Sequence, residues 1–246
     1  MKYLLLHIGQ FFIMIKKVFS LPEKKSIFLK QFSLELEKTG LNSIGIVTII
    51  SFFIGAVVAI QTAYNFDSPL YPKYLIGYAT RESLILEFCP TMLALILAGK
   101  VGSNIASEIG SMRVTEQIDA LEVMGINTYN YLIFPKIIAL LLYPLVICIS
   151  MFLGIFGGYI ACVYGGFSSS GEFIQGIQLD FTPFHVTYAF IKTAFFSFIL
   201  ATIPSFHGYF MTGGALEVGK ASTVSFVWTS VVIILLNYLI TQLLLT

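Results

Sequence analysis

Five apolar segments, each long enough to cross a bilayer as a helix, occupy most of this 246-residue chain. They run over 44–64, 83–106, 132–163, 183–207 and 224–245. A helix needs about 20 apolar residues to span the hydrocarbon core. In lipid every backbone N–H and C=O must find a partner within the protein, so only helices and closed barrels span. Barrel strands alternate apolar and polar residues over about ten positions. These segments do not alternate, and they predict an all-α integral membrane protein. The composition agrees, with 57% hydrophobic and 11% charged residues, against about 25% charged in an ordinary soluble domain.

The N-terminus is different. Residues 3–15 are apolar but too short to span, and Lys16-Lys17 follow where a signal peptide would carry a small-residue cleavage site. The following stretch, SLPEKKSIFLKQFSLELEKTG, alternates Lys and Glu with Phe, Ile and Leu. It predicts an amphipathic helix lying on the membrane surface; the alternative is a retained signal anchor. The chain thus divides into an interfacial region, 1–43, and a five-span region, 44–246. Placing the N-terminus in the cytoplasm puts 11 of the 14 basic residues on that side, with only Lys73 and Arg81 outside and Lys192 within the membrane. The positive-inside rule favours this orientation, which leaves the C-terminus outside.

Small residues recur every four positions at Ala98, Gly102, Ala106 and Gly110, and again at Gly55, Ala59 and Ala63. Such stripes let helix backbones approach closely, either inside one bundle or between two subunits. No internal repeat is present, and five spans do not divide into equal inverted halves. Both points weaken a secondary-transporter reading. The longest polar excursion on the cytoplasmic side is 107–128. Within it Val114, Ile118 and Leu121 form an apolar stripe, and Arg113, Glu116, Asp119 and Glu122 a polar one, with Gly125 placed to end a helix. A short helix over 113–124 can lie in a groove on a partner or fold onto its own bundle.

The run Ala98-Gly99-Lys100-Val101-Gly102, continuing through Ala106-Ser107-Glu108-Ile109-Gly110-Ser111-Met112-Arg113-Val114-Thr115-Glu116-Gln117-Ile118-Asp119-Ala120-Leu121-Glu122-Val123-Met124-Gly125, closely resembles the signature of the Mla/Mce-type permease family. Gly208-Tyr209, Gly213-Gly214-Ala215 and Val218-Gly219-Lys220-Ala221-Ser222-Thr223 resemble it too, and the likeness covers most of the chain from residue 40. The resemblance implies the permease subunit of an ABC transporter for phospholipids or related lipids, in a bacterial inner membrane. It implies a five-span homodimer with an N-terminal interfacial helix and a lipid cavity between the two copies. A cytoplasmic ABC ATPase subunit would dock on the helix matching 113–124, and an MCE-domain lipid-binding protein would sit on the outer side. The expected coupling residues are Glu108, Arg113, Glu116, Ile118, Asp119, Leu121 and Glu122. The family often carries Arg-Glu-Leu-Gly-Pro at the start of the second span. Here Leu86-Glu87-Phe88-Cys89-Pro90 keeps the Glu and Pro but replaces the Arg, and Arg81 is the nearby cation that would substitute.

Glu87 and Lys192 are the charges set deepest in apolar segments, Lys192 about 14 Å past the start of its span at 1.5 Å per residue. Intramembrane charges face a cavity or a partner. The first reading makes Glu87, Lys192 and Arg81 the lipid-binding residues, with Lys192 attracting an anionic headgroup phosphate. The second makes Glu87 and Lys192 a helix–helix pair. Gly214 to Lys220 matches seven positions of a phosphate-binding loop but continues with Ala221 where Ser or Thr is required. No nucleotide site, and hence no ATPase, is expected on this chain. Cys89, Cys148 and Cys162 match no zinc or redox spacing, and His7, His185 and His207 are scattered. No metal, cofactor or nucleic-acid partner is expected. An intramembrane lipid-modifying enzyme is the competing class, and it would need a nucleophile–base or acid–base constellation.

Overall fold

The computed structural model describes residues 2–20, 25–68 and 70–245. Lys24, in the expected interfacial stretch, and Thr246 lie outside the described residues. Among these residues all regular structure is helical, and five helical stretches are long and apolar enough to cross a membrane: Phe28–Asn65, Tyr74–Val114, Thr128–Tyr164, Pro183–Tyr209 and Ala215–Leu245. The protein is an all-α integral membrane protein, and these stretches contain the five expected segments. Several helices run past the apolar windows. Backbone hydrogen bonding continues into the polar turns that hydropathy excludes, as at Ser107–Val114.

In chain order, α1 (Lys2–Val18) precedes α2 (Lys25–Glu35), which passes through a π-helical stretch, Leu36–Leu41, directly into α3 (Asn42–Asn65). The boundary expected at 43/44 therefore falls inside continuous helix. Next come α4 (Tyr74–Ser83), a π-helical stretch Leu84–Met92, α5 (Leu93–Leu97), a second π-helical stretch Ala98–Gly102, and α6 (Ser103–Val114). Pro90 has no N–H to donate, and the ladder around it widens. α7 (Gln117–Val123), α8 (Thr128–Leu140), α9 (Tyr143–Tyr164), α10 (Ser170–Gln178), α11 (Pro183–Tyr209) and α12 (Ala215–Leu245) follow. α8 and α9 part at Leu141–Leu142 because Pro144 cannot donate to the Leu140 carbonyl, while in the first turn of α9 its missing N–H is harmless.

The chain forms two compact units. One comprises Met1–Asn42, Ala94–Leu142 and Phe195–Tyr238; the other comprises Ser43–Leu93, Tyr143–Ala194 and Leu239–Thr246. In the first unit, α1 and α2 pack on α8. Asn130 donates its side-chain amide to the carbonyls of Val18 and Ser20, both at 2.7 Å, which satisfies the end of α1. Lys136, 3% exposed, donates to Glu35 Oε1 and Glu108 Oε2, each at 2.6 Å, and Glu108 Oε1 also takes Lys38 at 2.7 Å. This chain of alternating charges ties α2, α6 and α8 together. The Ala98–Gly110 stripe packs inside the same unit. A Cβ on Gly102 would lie 3.2 Å from Pro204, and one on Gly208 would lie 2.7 Å from the Ala106 carbonyl.

In the second unit α3 and α9 meet backbone to backbone, because a Cβ on Gly55 would collide with Gly154 and one on Gly157 with the Phe52 carbonyl. Ser51 donates to Ser150 at 2.8 Å across the same seam. Both small-residue stripes are therefore packing seams within this chain. α4 and α10 are equally close, with Gly77 against Phe173 and Gly176 against Tyr74. α10 was not expected, since 164–182 reads as a loop. Its signal is the Ser169-x-x-Glu172 capping box, in which each side chain bonds the other residue's backbone N–H.

Candidate functional site

The second unit holds the intramembrane charges. Lys192 is completely buried on α11, and its Nζ donates to Glu87 Oε1 at 2.8 Å, Tyr188 OH at 2.9 Å, the Leu86 carbonyl at 3.1 Å and Thr241 Oγ1 at 3.4 Å. Tyr188 OH and Thr241 Oγ1 are 2.8 Å apart, and Thr241 also donates to Glu87 Oε1 at 3.3 Å. The node joins α11, α12 and the π-helical stretch after α4. The widened stretch presents Glu87 and also leaves the Leu86 carbonyl available to Lys192; such π-bulges are common at functional sites.

The expected pairing of Glu87 with Lys192 is thus present. Lys192 is held inside this node. Its side chain is 0% exposed and surrounded by acceptors, whereas the Glu87 side chain is 40% exposed. Tyr188 and Thr241 were missed in the sequence. Tyr188 stands four residues before Lys192 on the same helix face, which was the available signal. Thr241 belongs to another span, and no local pattern reaches it.

Arg81 makes its hydrogen bonds away from this node. Its side chain is 1% exposed. The guanidinium donates to the carbonyls of Ile177 at 2.6 Å and Leu179 at 2.8 Å, and pairs with Glu82. Those carbonyls end α10, where orphan acceptors and the negative pole of the helix both attract a cation. Tyr78 and Phe181 present ring faces to the same guanidinium. Arg81 is thereby committed to joining α4 and α10.

The expected 113–124 helix is broken. α6 ends at Val114, Glu116 adopts a left-handed φ of 58°, and α7 begins at Gln117. A non-glycine residue carries no sequence sign of this conformation. The break turns the apolar stripe inward: Ile118 is completely buried and Leu121 half-buried, while Val123 is 89% and Met124 65% exposed. Arg113 bridges the break by pairing with Asp119 at 2.6 Å. At the far end Glu122 Oε1 accepts from Tyr209 OH at 2.7 Å, and Tyr209 OH lies 2.8 Å from Thr128 Oγ1. Of the expected coupling residues, Glu108 and Ile118 face their own unit, Arg113 and Asp119 pair with each other, and Glu116 and Asp119 are exposed. Leu216–Lys220, within the sequence that resembles a phosphate loop, forms the opening turns of α12.

Comparison with known proteins places this geometry in a family context. A probable ABC transporter permease protein of Rickettsia bellii is 36% identical over 241 residues, covering 96% of this chain and 91% of the relative. One from Synechocystis is 33% identical over 213 residues, covering 85% and 80%. The intermembrane phospholipid transport system permease protein MlaE of Haemophilus influenzae is 28% identical over 209 residues, covering 84% and 80%. The family model described as permease MlaE matches residues 32–243, which include α3 to α11 and nearly all of α12. The protein belongs to the MlaE permease family.

Proposed function

We propose that this protein is the membrane subunit of an ABC transporter that moves phospholipids or related lipids between a bacterial inner membrane and the outer envelope. ATP hydrolysis on a separate cytoplasmic subunit drives it. The observation that carries the reading is the near full-length likeness to ABC transporter permeases, together with a relative whose name specifies phospholipid transport. The node at Glu87 and Lys192 supports it, since a polar centre in an apolar span is costly and is kept where it meets a cavity or ligand. The chain works as a homodimer with an MCE-domain protein on the outer side, as the family resemblance implies. Residues 1–43 form the membrane-surface region and 44–246 the permease proper. The distribution of basic residues supports a cytoplasmic N-terminus and an outer C-terminus.

With that orientation α7 faces the cytoplasm. The docking surface for the ATPase is its exposed side, Glu116, Asp119, Val123 and Met124, rather than the inward stripe. The test is co-expression with the ATPase subunit, followed by co-purification and measurement of lipid-dependent ATP hydrolysis. Val123→Asp buries a charge at the interface and costs several kcal/mol of binding. The ATPase then fails to co-purify, while the permease inserts and melts as the wild type does. Full co-purification and normal lipid-dependent hydrolysis in this variant would reject α7 as the docking element. Failure of the wild-type pair to hydrolyse ATP in response to lipid would reject the transporter reading.

A further inference from the structure

The seven-residue helix α7 has a left-handed residue beyond each end, Glu116 at φ 58° and Gly125 at φ 78°. Helical hydrogen bonding does not continue past these points, so side-chain ties set where α7 sits. Among the described residues, Ile118 is completely buried, but apolar burial is non-directional and lets a helix slide. Arg113 pairs with Asp119 at 2.6 Å, but the pair is exposed, and exposed pairs hold weakly. The directional tie is a closed triangle of hydrogen bonds. Tyr209 OH donates to Glu122 Oε1 at 2.7 Å, Thr128 Oγ1 lies 2.8 Å from Tyr209 OH, and Thr128 donates to Glu122 Oε1 at 3.3 Å. Its corners belong to α7, to the first residue of α8 and to the last residue of α11.

Tyr209 and Thr128 are buried. The rings of Tyr129 and Phe210 pack on Tyr209 at 4.4 and 5.2 Å between centroids, and the Arg113 guanidinium lies 5.9 Å above its face. The phenol is thereby held in place from α6, α8 and the end of α11. A hydrogen bond fixes both distance and angle. A shift of Glu122 therefore either carries Tyr209 and Thr128 with it or opens the triangle. A hydroxyl has one proton to give; once Glu122 withdraws, the Tyr209 proton turns to Thr128 Oγ1. The triangle thus has two discrete arrangements, closed on Glu122 and open. Resting on the reading of an ATP-driven lipid transporter docked at α7, we propose that Tyr209 is the positioning residue that passes movement of α7 to α8 and α11. The same link returns the response of the ATPase to lipid in the bundle.

The full-length protein is co-purified with its ATPase subunit, and ATP hydrolysis is measured in detergent micelles with and without phosphatidylethanolamine and phosphatidylglycerol. Tyr209→Phe removes the hydroxyl and keeps the ring. The lipid-dependent part of hydrolysis falls on the order of tenfold, the worth of a hydrogen bond to a charged group. Co-purification and the lipid-free rate stay as in the wild type. Glu122→Ala, at an exposed position of α7, produces the same loss and decides the matter if Tyr209→Phe fails to insert. The double variant loses no more than either single one, because both open the same triangle. Glu122→Gln keeps a side-chain oxygen as acceptor and retains the wild-type response, which a role for the charge itself would not allow. Normal lipid-dependent hydrolysis in Glu122→Ala, or additive losses in the double variant, overturns the inference and leaves the transporter reading standing. Loss of the ATPase from Glu122→Ala on purification assigns Glu122 to the docking surface and overturns it likewise. A wild-type pair whose hydrolysis ignores lipid overturns the transporter reading and this inference with it.

Discussion

Glu87→Ala is the most informative single change, because the group it strands is the buried one. Without Glu87 the Lys192 ammonium keeps, among the described residues, only neutral acceptors, at 2.9, 3.1 and 3.4 Å, and has no exposed surface through which to rehydrate. Breaking a buried ion pair from one side costs about 3–5 kcal/mol. The reverse change, Lys192→Met, fills most of the lysine volume and strands a carboxylate that is 40% exposed. Glu87 can hydrate, so the cost falls to about 1–3 kcal/mol, mainly the hydrogen bonds lost by Tyr188 and the Leu86 carbonyl. The double change removes the stranded charge and is less damaging than Glu87→Ala alone, with a coupling of roughly 2 kcal/mol. For a chain of this size about 2–4 °C accompanies each kcal/mol. Glu87→Ala therefore melts roughly 10 °C below the wild type, and Lys192→Met roughly half as far below. Thermal melts of the four proteins in one detergent–lipid mixture provide the assay. Lys192→Met losing more than Glu87→Ala, or strictly additive losses, would refute the reasoning.

Other predictions concern packing and orientation. Gly55→Ala drives a methyl into the Gly154 backbone and lowers stability by about 1–3 kcal/mol, whereas Gly45→Ala on the same helix, with nothing within 4 Å, is near neutral; melts of the two variants compare them directly. Arg81→Ala orphans the carbonyls ending α10 and leaves Glu82 without its guanidinium, costing about 3 kcal/mol; limited proteolysis within 164–182 should accelerate. A reporter active only in the cytoplasm, fused to the C-terminus, should be silent, and strong activity there would contradict the five-span, cytoplasmic-N-terminus topology.

The number and position of the spans were legible because lipid imposes one requirement on each segment separately. A run such as 44–64 or 224–245 has to bury its own backbone polar groups, so length and apolar content are sufficient evidence. Glu87 and Lys192 were legible as special for the same reason, since a charge in such a run is costly wherever its partner lies. The α10 capping box was legible too, in Ser169-x-x-Glu172, but an apolar-window reading passes over it.

The sequence by itself determined the fold class, the family signature and the candidate charges, all of which depend on composition and spacing along the chain. Tertiary structure alone decided their use. It buried Lys192 against Tyr188 and Thr241, left Glu87 half-exposed, and turned Arg81 away to cap α10. It also broke the 113–124 stretch at Glu116, so that Ile118 faces inward and Val123 and Met124 face outward. These outcomes depend on which helix faces meet, and residues 49 to 154 positions apart in the chain become neighbours through that packing. Two charges of equal rank in the sequence can therefore end in opposite environments.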